Sequence, residues 1–347
     1  MANSTSGADG TGGLPVDPNI VAVLPCVERI VGVRTVHQSP WAKALRLDVH
    51  QTDGSDQSYF IKISFGHHGR DALKGEFEAT AAISAITPDF CPKPAAWGSL
   101  GDEPDGYFYV CKFYDFADGV MPDPISFCEK LARLHSSHTS PEGKFGFHCT
   151  THNGDLPQDN TWSDCWEGFF SNGLRHVLQL REERAGPNAE LDAWLPALFD
   201  KIIPRLLRPM ESNGRKIEPS LVHGDLWYGN SAVIKATGEG IVFDPASFWA
   251  HNEYELGNWL PERNRFGNPY FKAYHSHIDP TKPEDDYDDR IRLYALRFNL
   301  HAATLFPDEE SYLRLVIDEI RALAKKYPNG YVEGTKPDVA EQNIPGA

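Results

Sequence analysis

Along residues 27–112 hydrophobic and polar positions alternate or gather into β-branched runs, a pattern that predicts strands. Residues 28–36 and 43–50 read as two of them, followed by a Thr-Asp-Gly-Ser turn at 52–55. Residues 59–65 (YFIKISF) have period two, with Phe60, Lys62 and Ser64 on one face and Tyr59, Ile61 and Ile63 on the other. Residues 71–86 switch to helical spacing: Leu73, Phe77 and Ala81 form one row, and Glu76, Ala79 and Ile83 another. Pro88, Pro92 and Pro94 end that helix. Residues 107–113 (YFYVCKF) read as a further strand, and 115–124 (DFADGVMPDP) as a hinge.

Beyond the hinge, apolar residues recur at three- and four-residue intervals in 125–138, 162–184, 189–210, 287–306 and 309–326, which predicts helices. Pro196, Pro204 and Pro209 are expected to split the third into shorter pieces. Residues 231–235 and 240–243 predict a hairpin around Ala-Thr-Gly-Glu. A β-rich segment followed by a helical one, in a chain of 347 residues, predicts two lobes around a cleft. The expected boundaries are a disordered lead-in at 1–20, a small lobe at 21–113, a larger one at 114–332 and a flexible tail at 333–347.

With 41% hydrophobic residues the chain can form a real core. No window approaches the length of a membrane-spanning helix, and the polar N-terminus lacks the basic start and apolar stretch of a secretory signal. A formal charge of −16 disfavours a nucleic-acid partner, although a nucleotide needs only a local cation and Mg²⁺. Cys26, Cys91, Cys111, Cys128, Cys149 and Cys165 are scattered with no C-x-x-C pair, so they are expected to be free thiols in a reducing, cytoplasmic compartment. A monomer or weak dimer is expected, with no nucleic-acid or membrane partner.

The chemistry concentrates in LVHGDLWYGN (Leu221 to Asn230) and in GIVFD, which ends at Asp244. Asp225 is a candidate base, and Asn230 and Asp244 are candidate oxygen ligands for Mg²⁺. His-x-Asp-x-x-x-x-Asn reproduces the kinase catalytic-loop pattern, with Gly224 where protein kinases carry Arg. A lone Gly-Asp is usually a turn; here Asn230 and Asp244, which would converge with Asp225 at one end of the hairpin, are placed as metal ligands should be and favour the catalytic reading. Lys62 reads as the cation for the α- and β-phosphates, with Glu76 on the following helix as its partner and Glu78 as the rival. His223 is expected to hold the loop rather than act as a base. His251, Glu253 and Glu255 lack a His-x-x-x-His spacing, so they predict a structural helix start capped by Asn252. Trp227, just after the base, is a candidate to stack on a sugar ring among Tyr228, Phe248 and Trp249.

At these residues the chain resembles the fructosamine kinase (ketosamine-3-kinase) family, relatives of the aminoglycoside and choline kinases. HGDLWYGN resembles that family's HGDLW-x-GN, and FDPASFWAHNEYEL resembles its DPASFYGH-x-E-[FY]-EL. Residues 144–170 (KFGFHCTTHNGDLPQDNTWSDCWEGFF) are similar to a KFGFH…W…W…FF stretch, and YFIKI around Lys62 with GE at Glu76 fits the small lobe. The likeness spans about residues 25–330. It implies an α/β, two-lobed protein-kinase-like fold, with a β-rich nucleotide-binding lobe carrying one helix and a larger, mainly helical catalytic lobe. It also implies ATP- and Mg²⁺-dependent phosphorylation of the 3-hydroxyl of a ketosamine, free or protein-bound, which serves deglycation. By that resemblance Asp225 is the base, Asn230 and Asp244 hold Mg²⁺, Lys62 and Glu76 pair, and the backbone of Val110, Cys111, Lys112 and Phe113 meets the adenine. Two departures stand out. Residues 31–47 carry Gly32 as their only glycine, with Pro40-Trp41 at the expected nucleotide-loop turn, and Lys112 stands where an acidic hinge residue is frequent. An aminoglycoside-like or amino-alcohol acceptor, or a nucleotide-binding pseudokinase, are the alternative readings.

Overall fold

The computed structural model describes residues 16–38 and 41–333. The expected lead-in and tail fall almost wholly outside these, as does Pro40 of the expected turn. Where the lead-in enters the described part it is not disordered but helical: α1 (Pro18–Val23) starts on Asp17, whose Oδ1 accepts from Asn19 N–H at 2.9 Å. The same carboxylate accepts from Gly101 and Asp102 N–H, pinning the helix to the body of its unit.

By contacts the chain divides into two units, one running through Phe77 and adding Lys93–Tyr114, the other made of Glu78–Pro92 and the chain from Asp115 onward. The expected small lobe was continuous; instead Glu78–Pro92 joins the second unit. The reason is packing, because Ile83, Phe90 and Cys91 are buried in the second unit's core and Val242 N–H donates to Phe90 O at 2.8 Å.

The first unit contains α1, β1 (Val27–Gln38), β2 (Lys43–Gln51), β3 (Asp56–Phe65), the start of α2 (Gly66–Ile86), β4 (Pro94–Ser99) and β5 (Gly106–Lys112). The strands form one antiparallel sheet in the order β1-β2-β3-β5-β4. The period-two pattern of β3 sorts its side chains. Tyr59 and Ile61 join Leu45, Leu47, Val49, Phe108 and Val110 in one cluster with Ile20 of α1 and Leu24 just after it. On the other face Phe60 packs with Tyr109, Cys111 and, from α2, Leu73 and Phe77. Lys62 shares that second face, so it points toward α2.

The second unit continues with the rest of α2, then α3 (Pro124–His135), β6 (His152–Asn153), β7 (Leu156–Pro157), α4 (Trp166–Ala185), α5 (Ala189–Ala197) and α6 (Ile203–Leu207). After these come β8 (Ser220–Val222), β9 (Ser231–Val233), β10 (Gly240–Val242), β11 (Phe248–Ala250), α7 (Glu253–Gly257), α8 (Asn268–His275), α9 (Tyr287–Leu305) and α10 (Glu310–Lys326). The segment expected to be split by its prolines is split, into α5 with Pro196 inside it, a π-turn at Leu198–Ile202, α6 with Pro204 in its first turn and a 3-10 turn at Arg208–Glu211 with Pro209 in its first turn. The core is aromatic: Trp166 is fully buried and donates Nε1–H to Tyr294 OH at 2.8 Å. α7 crosses α9 so closely that a Cβ at Gly257 would lie 2.4 Å from Tyr294 Cβ. That crossing sets where α7 stands, and α7 sets the catalytic loop. Among the described residues no helix is long and apolar enough to cross a membrane, and all six cysteines are free thiols.

Candidate active site

The loop after β8 is built on a short antiparallel pair, Val222 opposite Phe248 and Ser220 opposite Ala250. At Gly224 φ is +83°, and a Cβ would sit 2.3 Å from Ala246 O, so only glycine fits there. The backbone N–H groups of His223 and Gly224 both point at the buried carboxylate of Glu255, the latter at 3.1 Å from Oε1. His223 donates Nε2–H to Phe243 O at 3.0 Å and accepts Asp225 N–H on Nδ1 at 3.3 Å. Burial pushes its pKa below the ordinary value, against the pull of Glu255. A neutral imidazole with both nitrogens engaged is a loop clamp, as the sequence suggested, and has no nitrogen left for a base.

Asp225, Asn230 and Asp244 come together at the open end of the β9–β10 hairpin. The pairing runs Val242 opposite Ser231 and ends with Phe243 N–H donating to Asn230 O at 3.1 Å. Asn230 precedes β9 and Asp244 follows β10, so the hairpin fixes the two side by side. Asn230 gives its Nδ2 hydrogens to Asp225, at 2.9 Å to the backbone oxygen and 3.0 Å to Oδ2. That leaves Asn230 Oδ1 as the amide's outward oxygen donor. Asp244 is exposed and in the left-handed region, at φ 55°. Asp225 is half-buried, and burial pushes its pKa up to about 8; Asn230 and Asn153 hydrogen bonds oppose this, while the Asp244 and Glu255 charges add to it. Two neighbouring carboxylates and an amide oxygen are hard-oxygen donors of the kind Mg²⁺ takes. A divalent cation there would restore Asp225 to its carboxylate form. The residues fit the ion.

In the first unit Lys62 Nζ lies 2.7 Å from Glu76 Oε2, with the two side chains 17% and 13% exposed. β3 presents the lysine and α2 the glutamate, fourteen residues on. Glu78 is not the partner; it faces His148 Nε2 at 3.2 Å in the second unit. Val110 and Cys111 are buried in β5, and Lys112 is exposed with Nζ 5.1 Å above the Tyr114 ring. The N–H groups of Lys112 and Phe113 are donated to Lys93 O and Ser58 O, so both amides are engaged within the first unit. Strands β1 and β2 stay paired up to Gln38 opposite Lys43, which leaves residues 39–42 for the connection and no glycine in it. Trp227 is half-buried; its indole lies against Gly229, where a Cβ would be 2.5 Å from the ring, and Tyr228 packs edge-on at 4.9 Å.

Three residues that hold this site escaped the sequence reading. Glu255 was expected to serve only a helix start, and Asn252 to cap it. Asn252 makes no side-chain cap and donates Nδ2–H to Tyr274 OH at 2.8 Å instead. Glu253 turns the other way, to a buried two-point pairing with Arg290 at 2.8 and 3.0 Å. Asn153 donates to Gly224 O at 3.3 Å, and Gln158 donates to Ala246 O at 2.7 Å. Their signal was the KFGFH-type segment, which bridges to Trp249 through Gly146 and so lies under the loop.

Residues 32–325 match the sequence profile of the family described as fructosamine kinase. Ketosamine-3-kinase of Mus musculus is 36% identical over 260 residues, covering 68% of this chain and 79% of its own. A chloroplastic protein-ribulosamine 3-kinase of Oryza sativa subsp. japonica is 31% identical over 280 residues, covering 79% and 75%. Among solved structures, a candidate fructosamine-3-kinase from Haemophilus somnus 129PT superposes with a TM-score of 0.68 at 20% identity, over 85% of this chain and 92% of its own. A thermostable mutant of aminoglycoside phosphotransferase APH(4)-Ia, in ternary complex with AMP-PNP and hygromycin B, gives 0.59 at 12% identity, over 86% and 94%. The fold is therefore the kinase-like one that the sequence predicted.

Proposed function

The chain belongs to the fructosamine kinase family, and on that footing we propose that it transfers the γ-phosphoryl group of ATP to the 3-hydroxyl of a ketosamine. The observation that carries this reading is the hairpin end, where Asn230 is hydrogen-bonded to Asp225 and to the N–H of Phe243, the residue before Asp244. The first unit, with Lys62 held by Glu76, serves the nucleotide, and the second serves the acceptor and the chemistry. Asp225 accepts a hydrogen bond from the acceptor hydroxyl, orients its lone pair for in-line attack and takes its proton as the new O–P bond forms and the bond from the γ-phosphorus to the ADP oxygen breaks. Asn230 Oδ1 and Asp244 would hold Mg²⁺, which when bound neutralises phosphate charge. Lys62, fixed by its ion pair, meets the α- and β-phosphates as a point charge. Trp227 offers the face of an indole to the sugar. Phosphorylation at that hydroxyl weakens the sugar–amine link, which makes the activity a deglycation step.

Asp225→Ala tests the assignment. Turnover of a fructosyl-amine should fall by about 10²–10⁴-fold, the usual worth of a positioned base, while the melting temperature holds. Near-full activity in that variant would remove Asp225 from the chemistry. Transfer to amino-alcohols instead of the fructosyl-amine would move the acceptor class. Binding of Mg·ATP with no transfer to either would make the chain a non-catalytic nucleotide binder.

A further inference from the structure

Asn153 stands at the turn between β6 and β7, a pair of only two residues on each side, with Gly154 at φ +57°. Its buried amide donates Nδ2–H to Gly224 O at 3.3 Å and also hydrogen-bonds the Asp225 carboxylate. One side chain thus holds both the peptide that carries the base and the base itself. So short a strand pair does little to fix where that amide points. The Asn153 carbonyl, however, is gripped from α9: His301 Nε2 lies 3.1 Å from it, and His301 Nδ1 lies 3.0 Å from Arg297 Nη1. Arg297 and His301 are four residues apart on one face of that helix, and both are buried. Among the described residues no carboxylate lies at ion-pair distance from Arg297. A guanidinium buried without a counter-charge is destabilising, so stability alone does not account for it.

The chemistry of the two ends fixes the imidazole's state. A guanidinium only donates, so His301 Nδ1 is the unprotonated nitrogen. A carbonyl oxygen only accepts, so the ring hydrogen sits on Nε2 and goes to Asn153 O. The ring does not take up a second proton near neutral pH, because burial, with Arg297 adding and the Asn153 bond opposing, pushes its pKa down to about 3. The geometry points to Arg297 and His301 as positioning residues for phosphoryl transfer: Arg297 locks the imidazole in the tautomer that grips the Asn153 carbonyl, and Asn153 in turn aims Asp225 at the acceptor hydroxyl. This rests on the reading of Asp225 as the base. Both α9 residues act through Asn153, so their effect belongs in kcat and not in the affinity for nucleotide.

A double-mutant cycle on kcat tests the relay in the full chain, with saturating Mg·ATP and a fructosyl-amine as acceptor. Asn153→Ala should lower kcat by up to about 100-fold with KM for ATP unchanged, as expected for a base moved by about 1 Å. His301→Asn, whose shorter side chain loses the Nε2 donor, should lower it about 2–10-fold, the range of one hydrogen bond. The double variant should be no slower than Asn153→Ala, because both losses run through one amide. His301→Gln, which puts a donor where Nε2 stood, should recover most of the rate lost in His301→Asn. If His301→Asn does not fold, Arg297→Met, which frees the tautomer, runs the same cycle with the same expected loss. Effects that multiply in the double variant, an unchanged kcat in Asn153→Ala, or His301→Gln as slow as His301→Asn would overturn the proposal. Amide hydrogen exchange over residues 221–230 reads the relay without turnover: it should be faster in His301→Asn than in wild type and His301→Gln, and equal rates in all three would also overturn it. A wild-type chain that transfers phosphate to no acceptor strikes only the earlier reading, and the exchange measurement still decides this one.

Discussion

Replacing Glu255 by glutamine is expected to slow the enzyme and loosen it together. The wild-type carboxylate is fully buried and accepts from the N–H groups of both His223 and Gly224, with His135 Nε2 at 3.7 Å. Glutamine keeps the shape but turns one acceptor into a donor, so one backbone N–H is left facing an N–H. A charge-assisted hydrogen bond contributes about 1.5–3 kcal/mol, and a stranded buried donor costs about 1–3 kcal/mol. Stability should therefore drop by roughly 2–5 kcal/mol, which at about 2–4 °C per kcal/mol lowers the melting temperature by roughly 4–20 °C. Asp225 lies one residue beyond this clamp. Moving it off line should lower kcat about 10–100-fold, a barrier increase of about 1.4–2.7 kcal/mol, with KM for ATP nearly unchanged. Differential scanning fluorimetry and steady-state transfer to a fructosyl-amine at saturating ATP measure both. A variant that melts and turns over like wild type would refute the claim that Glu255 sets the loop.

Three further outcomes are expected. Lys62→Met should raise KM for ATP and lower kcat about 10²-fold while the chain stays folded, read by ATP titration of initial rates; unchanged kinetics would make the pair with Glu76 purely structural. Gly257→Ala should drive α7 off α9, because its Cβ would fall 2.4 Å from Tyr294 Cβ and 2.8 Å from Tyr294 C, and the urea midpoint should drop by the equivalent of about 1–3 kcal/mol or more. His251 is bonded to Tyr294 OH at 2.9 Å and Thr281 Oγ1 at 2.8 Å, and burial, with Arg290 and His135 adding and Glu253 opposing, pushes it down to about 4 from 6.5. Between those values the unfolded chain binds a proton that the folded chain refuses, so stability falls as pH falls, by on the order of 2 kcal/mol at about pH 5. Wild type should therefore lose more melting temperature between about pH 7 and pH 5 than His251→Gln does, and parallel slopes would contradict the assignment.

Local pattern made the main elements legible. The alternation around Lys62 and the helical rows after it gave β3 and α2, and with them the Lys62–Glu76 contact, because partner and register both follow from neighbours in sequence. The hairpin between Asn230 and Asp244 was readable for the same reason. What stayed hidden depends on distant pairing. Strands β8 and β11 have three residues each, too few to show a period, and they find one another only across an intervening hairpin. Strand β4 opens on Pro94, which reads as a breaker but is tolerated at the first position of an edge strand. The prolines of 189–210 made the division of that helix legible, but the π-turn at Leu198–Ile202 between the pieces has no residue type that signals it. Glu253 and Glu255 looked like ordinary first-turn acids, since nothing nearby says that their partners lie at Arg290 and His223.

Those two glutamates sit on one five-residue helix and reach in opposite directions, one into the seat of the reactive aspartate, the other into the longest-buried helix of the second unit. A helix so short has no cooperative life of its own, so it cannot loosen at one end and stay firm at the other. Warming or denaturant that frees α9 should thus silence phosphoryl transfer in the same transition, with no active but half-melted species in between.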